Sequence, residues 1–262
     1  MSDPAIAQPG TPTAPLGVSG IFWLLLVAFA LSAAALAGGN TEAILVFAFV
    51  FVGWIISLCL HEFGHAYTAW LGGDASVVGR GYLTLNPLRY ANPVLSIVMP
   101  LVFLALGGIG FPGGAVYLRR DLLRSSAWGA AVSAAGPAAN LLCLIALGGV
   151  YSTLDASSGS PLAPAIALLA FLQATALLLN LLPVPGLDGF GILEAALPAG
   201  ARAGLAQLSR LAVIVFLGVM IGAPQLLAPL WQAALWLCEV LTIDREAIAQ
   251  GFDAFRFWQV GE

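Results

Sequence analysis

The chain has 262 residues, 60% of them hydrophobic and only 8% charged, with a formal net charge of −4. Soluble domains carry about 25% charged residues, so this composition excludes an ordinary soluble domain and predicts an all-α polytopic membrane protein with about six transmembrane helices. All nine basic residues are arginine and they form no basic stripe, so no nucleic-acid partner is expected.

Residues 1–19, rich in Pro, Ala and Gly, are expected to be a disordered tail. A bilayer core needs about 20 predominantly apolar residues per helix, and residues 20–38 form the first such run. No Lys or Arg precedes it, so it reads as a retained anchor and not a signal peptide. Residues 44–71 form the second span. Between Asp74 and Asn86 a loose alternation of Val77, Tyr82, Leu83 and Leu85 predicts a short strand or hairpin on the membrane surface. The apolar stretch 93–110 carries Pro100 and ends in Gly-Gly-x-Gly. Taken as re-entrant or interfacial, it keeps Arg80, Arg89, Arg119, Arg120 and Arg124 on one side, in line with the positive-inside rule. Residues 127–151 and 161–182 are the next spans. The run 208–241 is interrupted at Gly222-Ala223-Pro224 and reads as two tight helices. Finally, 244–258 places Ile248, Phe252, Phe255 and Trp258 near one face, an amphipathic helix with a membrane-facing stripe. The chain thus divides into the tail 1–19, a membrane-embedded domain 20–241 and a C-terminal amphipathic helix 242–262. In this topology 39–43 and 152–160 are external and every arginine is cytoplasmic.

The chemistry concentrates in one place. The only two histidines flank a glutamate in His61-Glu62-Phe63-Gly64-His65. Residues four apart share a helix face, so both imidazoles can bind one Zn²⁺, and the glutamate can take a proton from a zinc-activated water. The run before them, 44–60, is uncharged, which places a metalloprotease-like site inside a membrane. A catalytic zinc takes three protein ligands, and no third histidine exists. Acidic groups in apolar surroundings are the place to look. Asp188 stands out at the cytoplasmic end of the fourth span, after Pro183 and Pro185, which break the helix and let an extended segment swing its carboxylate toward the metal. Glu194 and Glu239 are the candidates if the site were of the gluzincin type. Cys59, two residues before His61, is turned about 200° off the zinc face. With Cys143 and Cys238 it reads as a buried small hydrophobe and not part of a disulfide framework.

Three ordered motifs carry a resemblance: His61-Glu-Phe-Gly-His65, Gly136-Pro-Ala-Ala-Asn140, and Asn180-x-x-Pro183-x-x-x-Leu187-Asp188-Gly189. Together they resemble the signature of the site-2 proteases, zinc metalloproteases that cut within the membrane. Gly73-Asp74 and Leu83-Thr84-Leu85-Asn86-Pro87 match one bacterial and archaeal branch, and the likeness covers a core of residues 44–191. The resemblance implies one Zn²⁺ on His61, His65 and Asp188, with Glu62 as general base and later proton donor. It also implies Asn140 as a polar group near the metal for the substrate or oxyanion, and Asn180 as holder of the turn before Asp188 or as a substrate contact. The partners would be a transmembrane-helix substrate and the bilayer of a bacterial or archaeal cell membrane, with the site toward the cytoplasm. The chain departs from the branch at Tyr90-Ala91-Asn92-Pro93 and along 110–116, which bears on substrate docking more than on hydrolysis. Oligomeric state and substrate identity are not encoded in any motif.

Blander readings stand beside these. Asn140 and Asn180 can be interhelical hydrogen-bonding residues, Asp74 and Asn86 turn residues, and Arg119, Arg120 and Arg124 topology anchors. The alternative function is a catalytically silent membrane scaffold or a metal carrier, in which Glu62 would have no task.

Overall fold

The computed structural model describes residues 16–90, 119–154, 159–256 and 258. The stretch 93–110 and most of the tail lie outside these residues. Among those described the chain is all-helical, without strands. Four helices are long and apolar enough to cross a membrane: α1 (Gly20–Ala37), α2 (Ala43–Gly72), α3 (Ser126–Tyr151) and α4 (Leu162–Asn180). A short α5 (Asp188–Glu194) follows, then α6 (Ala199–Gly222), α7 (Ala228–Val240) and α8 (Arg245–Phe255). The expected break at Gly222-Ala223-Pro224 separates α6 from α7. The pair leading into α8 is bent by 113°, and counted as one broken span it brings the number to five where six were expected.

Local chemistry sets the helix ends. Ser19 and Ser125 cap α1 and α3 by accepting hydrogen bonds from the amides of Phe22 and Trp128. Helix α2 stops at Gly73, whose φ of 118° is the left-handed conformation that favours glycine. The Arg124 guanidinium donates to the Leu71 carbonyl at that same end.

Helix α4 is the hub. It is buried over most of its length, against α2, α3, α7 and α8, whereas Leu24 and Leu31 of α1 and Leu142 of α3 stay exposed. Such outward apolar surface suits lipid and would be costly in water.

Three expectations are corrected. Residues 76–79 and 82–84 are short helical turns and not a strand or hairpin: Asp74 caps the first through Ser76, and Gly81 and Leu85, both at positive φ, bracket the second. The end of the supposedly disordered tail is fixed, since the amides of Gly17 and Ser19 donate to the carbonyls of Leu83 and Thr84. Helix α8 turns most of its apolar stripe inward onto the bundle, with Trp258 just beyond it left exposed. Ile248 and Phe255 are buried, Phe252 and Phe255 meet Phe171 and Phe47, and a Cβ at Gly251 would lie 2.3 Å from the Pro164 carbonyl. Burying that stripe against α2 and α4 removes the same apolar area from water while giving it fixed packing partners.

Helix α8 also revises the arginine count. Tyr151, at the end of α3, donates its hydroxyl to Asp244 Oδ2 at 3.2 Å, and Leu241 packs on Gly148. Arg245 therefore lies at the opposite end of the bundle from Arg119, Arg120 and Arg124, which precede the start of α3. The single-sided placement of all nine arginines does not hold. Those three make protein contacts as well: Arg119 with Asp121, Arg120 with Glu194 and Ser133, and Arg124 with α2 and the Trp128 ring.

Candidate metal centre

His61 and His65 stand one turn apart on α2, both buried, with rings edge to face and centroids 4.7 Å apart. Each ring is oriented by an oxygen behind it: His61 Nδ1 faces Asn140 Oδ1 at 2.5 Å, and His65 Nδ1 faces the Val132 carbonyl at 2.7 Å. An oxygen acceptor there places the proton on Nδ1 and leaves the Nε2 lone pair pointing forward. The two Nε2 atoms are 3.0 Å apart, and Asp188 Oδ2 lies 3.3 Å from each. Three electron-rich atoms this close in a buried position repel one another unless a cation sits among them.

The triangle they form fits zinc. Its corners lie about 1.9 Å from its centre, so all three atoms can reach one ion at about 2.0–2.2 Å, the usual Zn–N and Zn–O distances. Among the described residues these are the three side chains grouped closely enough to hold a metal. The gluzincin-type candidates are engaged elsewhere, Glu194 with Arg120 and Glu239 with Arg245. Cys59 packs with Phe22 and Tyr90, off the metal face.

The glycines of the three motifs make this approach possible. A Cβ at Gly136 would sit 2.3 Å from His65 Nε2 and 2.6 Å from His61 Nε2, so the imidazoles face bare backbone of α3. One at Gly64 would lie 2.8 Å from the Ala135 carbonyl, so α2 and α3 cross glycine to backbone. Asp188 reaches the triangle because the chain leaves α4 at Asn180, turns through Gly186 at φ 104° and folds back to open α5. A Cβ at Gly189 would come 2.1 Å from the Leu181 carbonyl, so only glycine allows the fold-back.

Comparison with known proteins agrees with this geometry. The chain is 44% identical over 213 residues to Putative zinc metalloprotease Rip2 of Mycolicibacterium smegmatis, covering 81% of this chain and 82% of that protein. It is 45% identical over 215 residues to the protein of the same name in Mycobacterium tuberculosis, covering 82% of each. The chain belongs to the site-2 protease family. A more distant member, Putative zinc metalloprotease YwhC of Bacillus subtilis, is 31% identical over 207 residues, covering 76% of this chain and 89% of that protein. No family model and no solved structure matches the chain.

Within this site-2 protease homologue the remaining candidates fall as follows. Glu62 is buried beside His61 on α2. Asn180 is buried at the last turn of α4. Of the two readings of Asn140, its contacts match the interhelical hydrogen-bonding one. Its oxygen meets His61 and its amide nitrogen donates to Gln173 Oε1 at 2.8 Å, so both ends of the side chain are engaged. Crossing of α3 over α2 rotates Asn140 behind the imidazole, a relation that no spacing within one helix reveals. Sequence reasoning also missed Gln173 and Ser57. Gln173 is the lone amide in the apolar interior of α4, and a polar group at that depth is the signal that could have found it.

Proposed function

We propose that this protein is an intramembrane zinc endopeptidase that hydrolyses peptide bonds of transmembrane-helix substrates. The observation that carries the reading is the convergence of His61, His65 and Asp188 on one point along an apolar 30-residue helix, seven residues before its end. Seven residues of helix span about 10 Å, which supports a site below the membrane surface.

His61, His65 and Asp188 would hold one Zn²⁺. Bound there, zinc lowers the pKa of a water and polarises a carbonyl. Glu62 takes the proton from the attacking water and returns it to the leaving amine; its burial keeps bulk water from competing for that proton. Asn140 and the Val132 carbonyl hold the two imidazoles in the tautomer that offers Nε2 forward. Asn140 is a positioning residue in this scheme and not an oxyanion donor. A substrate helix must unwind before a scissile carbonyl is accessible, and its freed amides need partners in lipid. Asn180, at the helix break leading to Asp188, serves the substrate strand there. Five arginines, Arg80, Arg89, Arg119, Arg120 and Arg124, follow α2 or precede α3 at the end of the bundle nearer the site, which supports a cytoplasmic placement of that end in a bacterial cell.

The test is Glu62→Gln in purified full-length protein, with a synthetic transmembrane peptide as substrate. Zinc content stays at one ion per chain while cleavage falls by at least about 10²–10⁴-fold, the usual worth of a general base. Retained cleavage refutes the mechanism. Zinc uptake into vesicles that survives the same substitution favours a metal carrier instead.

A further inference from the structure

Behind His61 runs a line of buried polar groups across three helices. Asn140 Nδ2 donates to Gln173 Oε1 at 2.8 Å, Gln173 Nε2 donates to Ser57 Oγ at 2.7 Å, and Ser57 Oγ lies 2.8 Å from the Trp54 carbonyl. Gln173 is wholly inaccessible, and Ser57 and Asn140 are nearly so. The line starts on α2, passes through α4 and α3, and returns to α2 at the imidazole.

We propose that Gln173, together with Ser57, is a positioning residue that fixes the direction of this hydrogen-bond line and thereby the tautomer of His61. The proposal rests on the zinc-peptidase reading of the site.

The argument is one of polarity. A backbone carbonyl can only accept, so the single hydroxyl proton of Ser57 is committed to Trp54. Ser57 Oγ then has only acceptor capacity to offer, and the group of Gln173 facing it must be the amide N–H. This turns Gln173 Oε1 toward α3, where it must receive an N–H from Asn140. Asn140 in turn presents its oxygen to His61, so the imidazole carries its proton on Nδ1 and presents a bare Nε2 on the Asp188 side. Each amide could otherwise rotate by 180° about its last torsion with little change in shape. Reversal of Asn140 would ask Nδ1 to accept, move the proton to Nε2 and remove a ligand lone pair. With all three side chains buried, a reversed amide would set like groups against each other, so the fixed carbonyl at one end decides the state at the other.

The experiment measures zinc affinity of the purified full chain by competition with a chromophoric chelator, alongside cleavage of the transmembrane peptide and thermal unfolding. Gln173→Met keeps the length and apolar packing but removes the amide. It lowers zinc affinity about 10–100-fold, the usual effect of losing a group that orients a metal ligand. Ser57→Ala, a smaller change at the far end, lowers it in the same direction by a smaller factor. Asn140→Asp distinguishes orientation from packing: a carboxylate accepts on either oxygen and needs no help to face His61 correctly. In that background Gln173→Met changes zinc affinity less than threefold. If both Gln173→Met and Ser57→Ala bind zinc within threefold of the unsubstituted protein, or if Asn140→Asp gives no rescue, the proposal is overturned. His61→Ala is the control for the underlying reading. Its loss of zinc beside unaffected Gln173→Met sinks only the positioning role, whereas undiminished zinc binding by His61→Ala sinks the metal site itself.

Discussion

Alanine at position 136 tests the metal centre without removing any polar group from it. The new Cβ would stand 2.3 Å from His65 Nε2 and 2.6 Å from His61 Nε2. Ordinary contact needs about 3.5 Å, so the two ring edges must retreat by about 1 Å. A workable zinc site tolerates errors of about 0.2 Å in its ligand distances. Misplacement by about 1 Å costs about 10²-fold in function, equivalent to about 2.7 kcal/mol. The helix itself gains from the change, because alanine is about 1 kcal/mol better than glycine in a helix interior. Gly136→Ala should therefore fold, unfold thermally close to the unsubstituted zinc-free protein, and bind zinc at least about 10²-fold more weakly. Chelator competition and metal analysis on detergent-purified protein measure this. Zinc affinity equal to that of the unsubstituted protein, in a variant with an intact fold, would refute the claim that both imidazoles meet over bare backbone of α3.

Two further outcomes follow from the same geometry. Stripping zinc with a chelator should abolish peptide cleavage and lower the thermal unfolding temperature. Zinc added back at about 100 times its dissociation constant should restore about 2.7 kcal/mol of stability; unfolding indifferent to zinc would argue against a site built from α2 and the start of α5. In a cysteine-free background in cells, Arg124→Cys and Arg245→Cys should react with a membrane-impermeant maleimide from opposite faces of the membrane. Labelling of both from one face contradicts the Tyr151–Asp244 contact that joins α3 to the start of α8.

Much of this protein is legible in its sequence, because the relevant signals are local. The uncharged runs announce the spans of α1 to α4. The four-residue spacing of His61 and His65 puts both rings on one face whatever α2 packs against, and the prolines before Asp188 announce a chain that leaves its helix. Composition and one helical repeat thus determine a membrane protein with two zinc-ready imidazoles and a candidate third ligand.

Tertiary structure decided everything that depends on how helices are rotated and crossed. Asn140 could have faced a substrate; the crossing of α3 over α2 turned it onto His61 and Gln173. The apolar stripe of α8 could have met lipid, but a bare Gly251 lets it seat on Pro164 and Leu168 of α4. Arg245 looked bound for the same membrane face as the other arginines, but α7 runs from Leu179 near the end of α4 to Gly148 near the end of α3 and so delivers it to the far end. The physical reason is the same in each case. A periodicity says which residues share a face, while the partner of that face is fixed by close packing between segments remote in sequence, where one methyl group at a glycine is enough to forbid the contact.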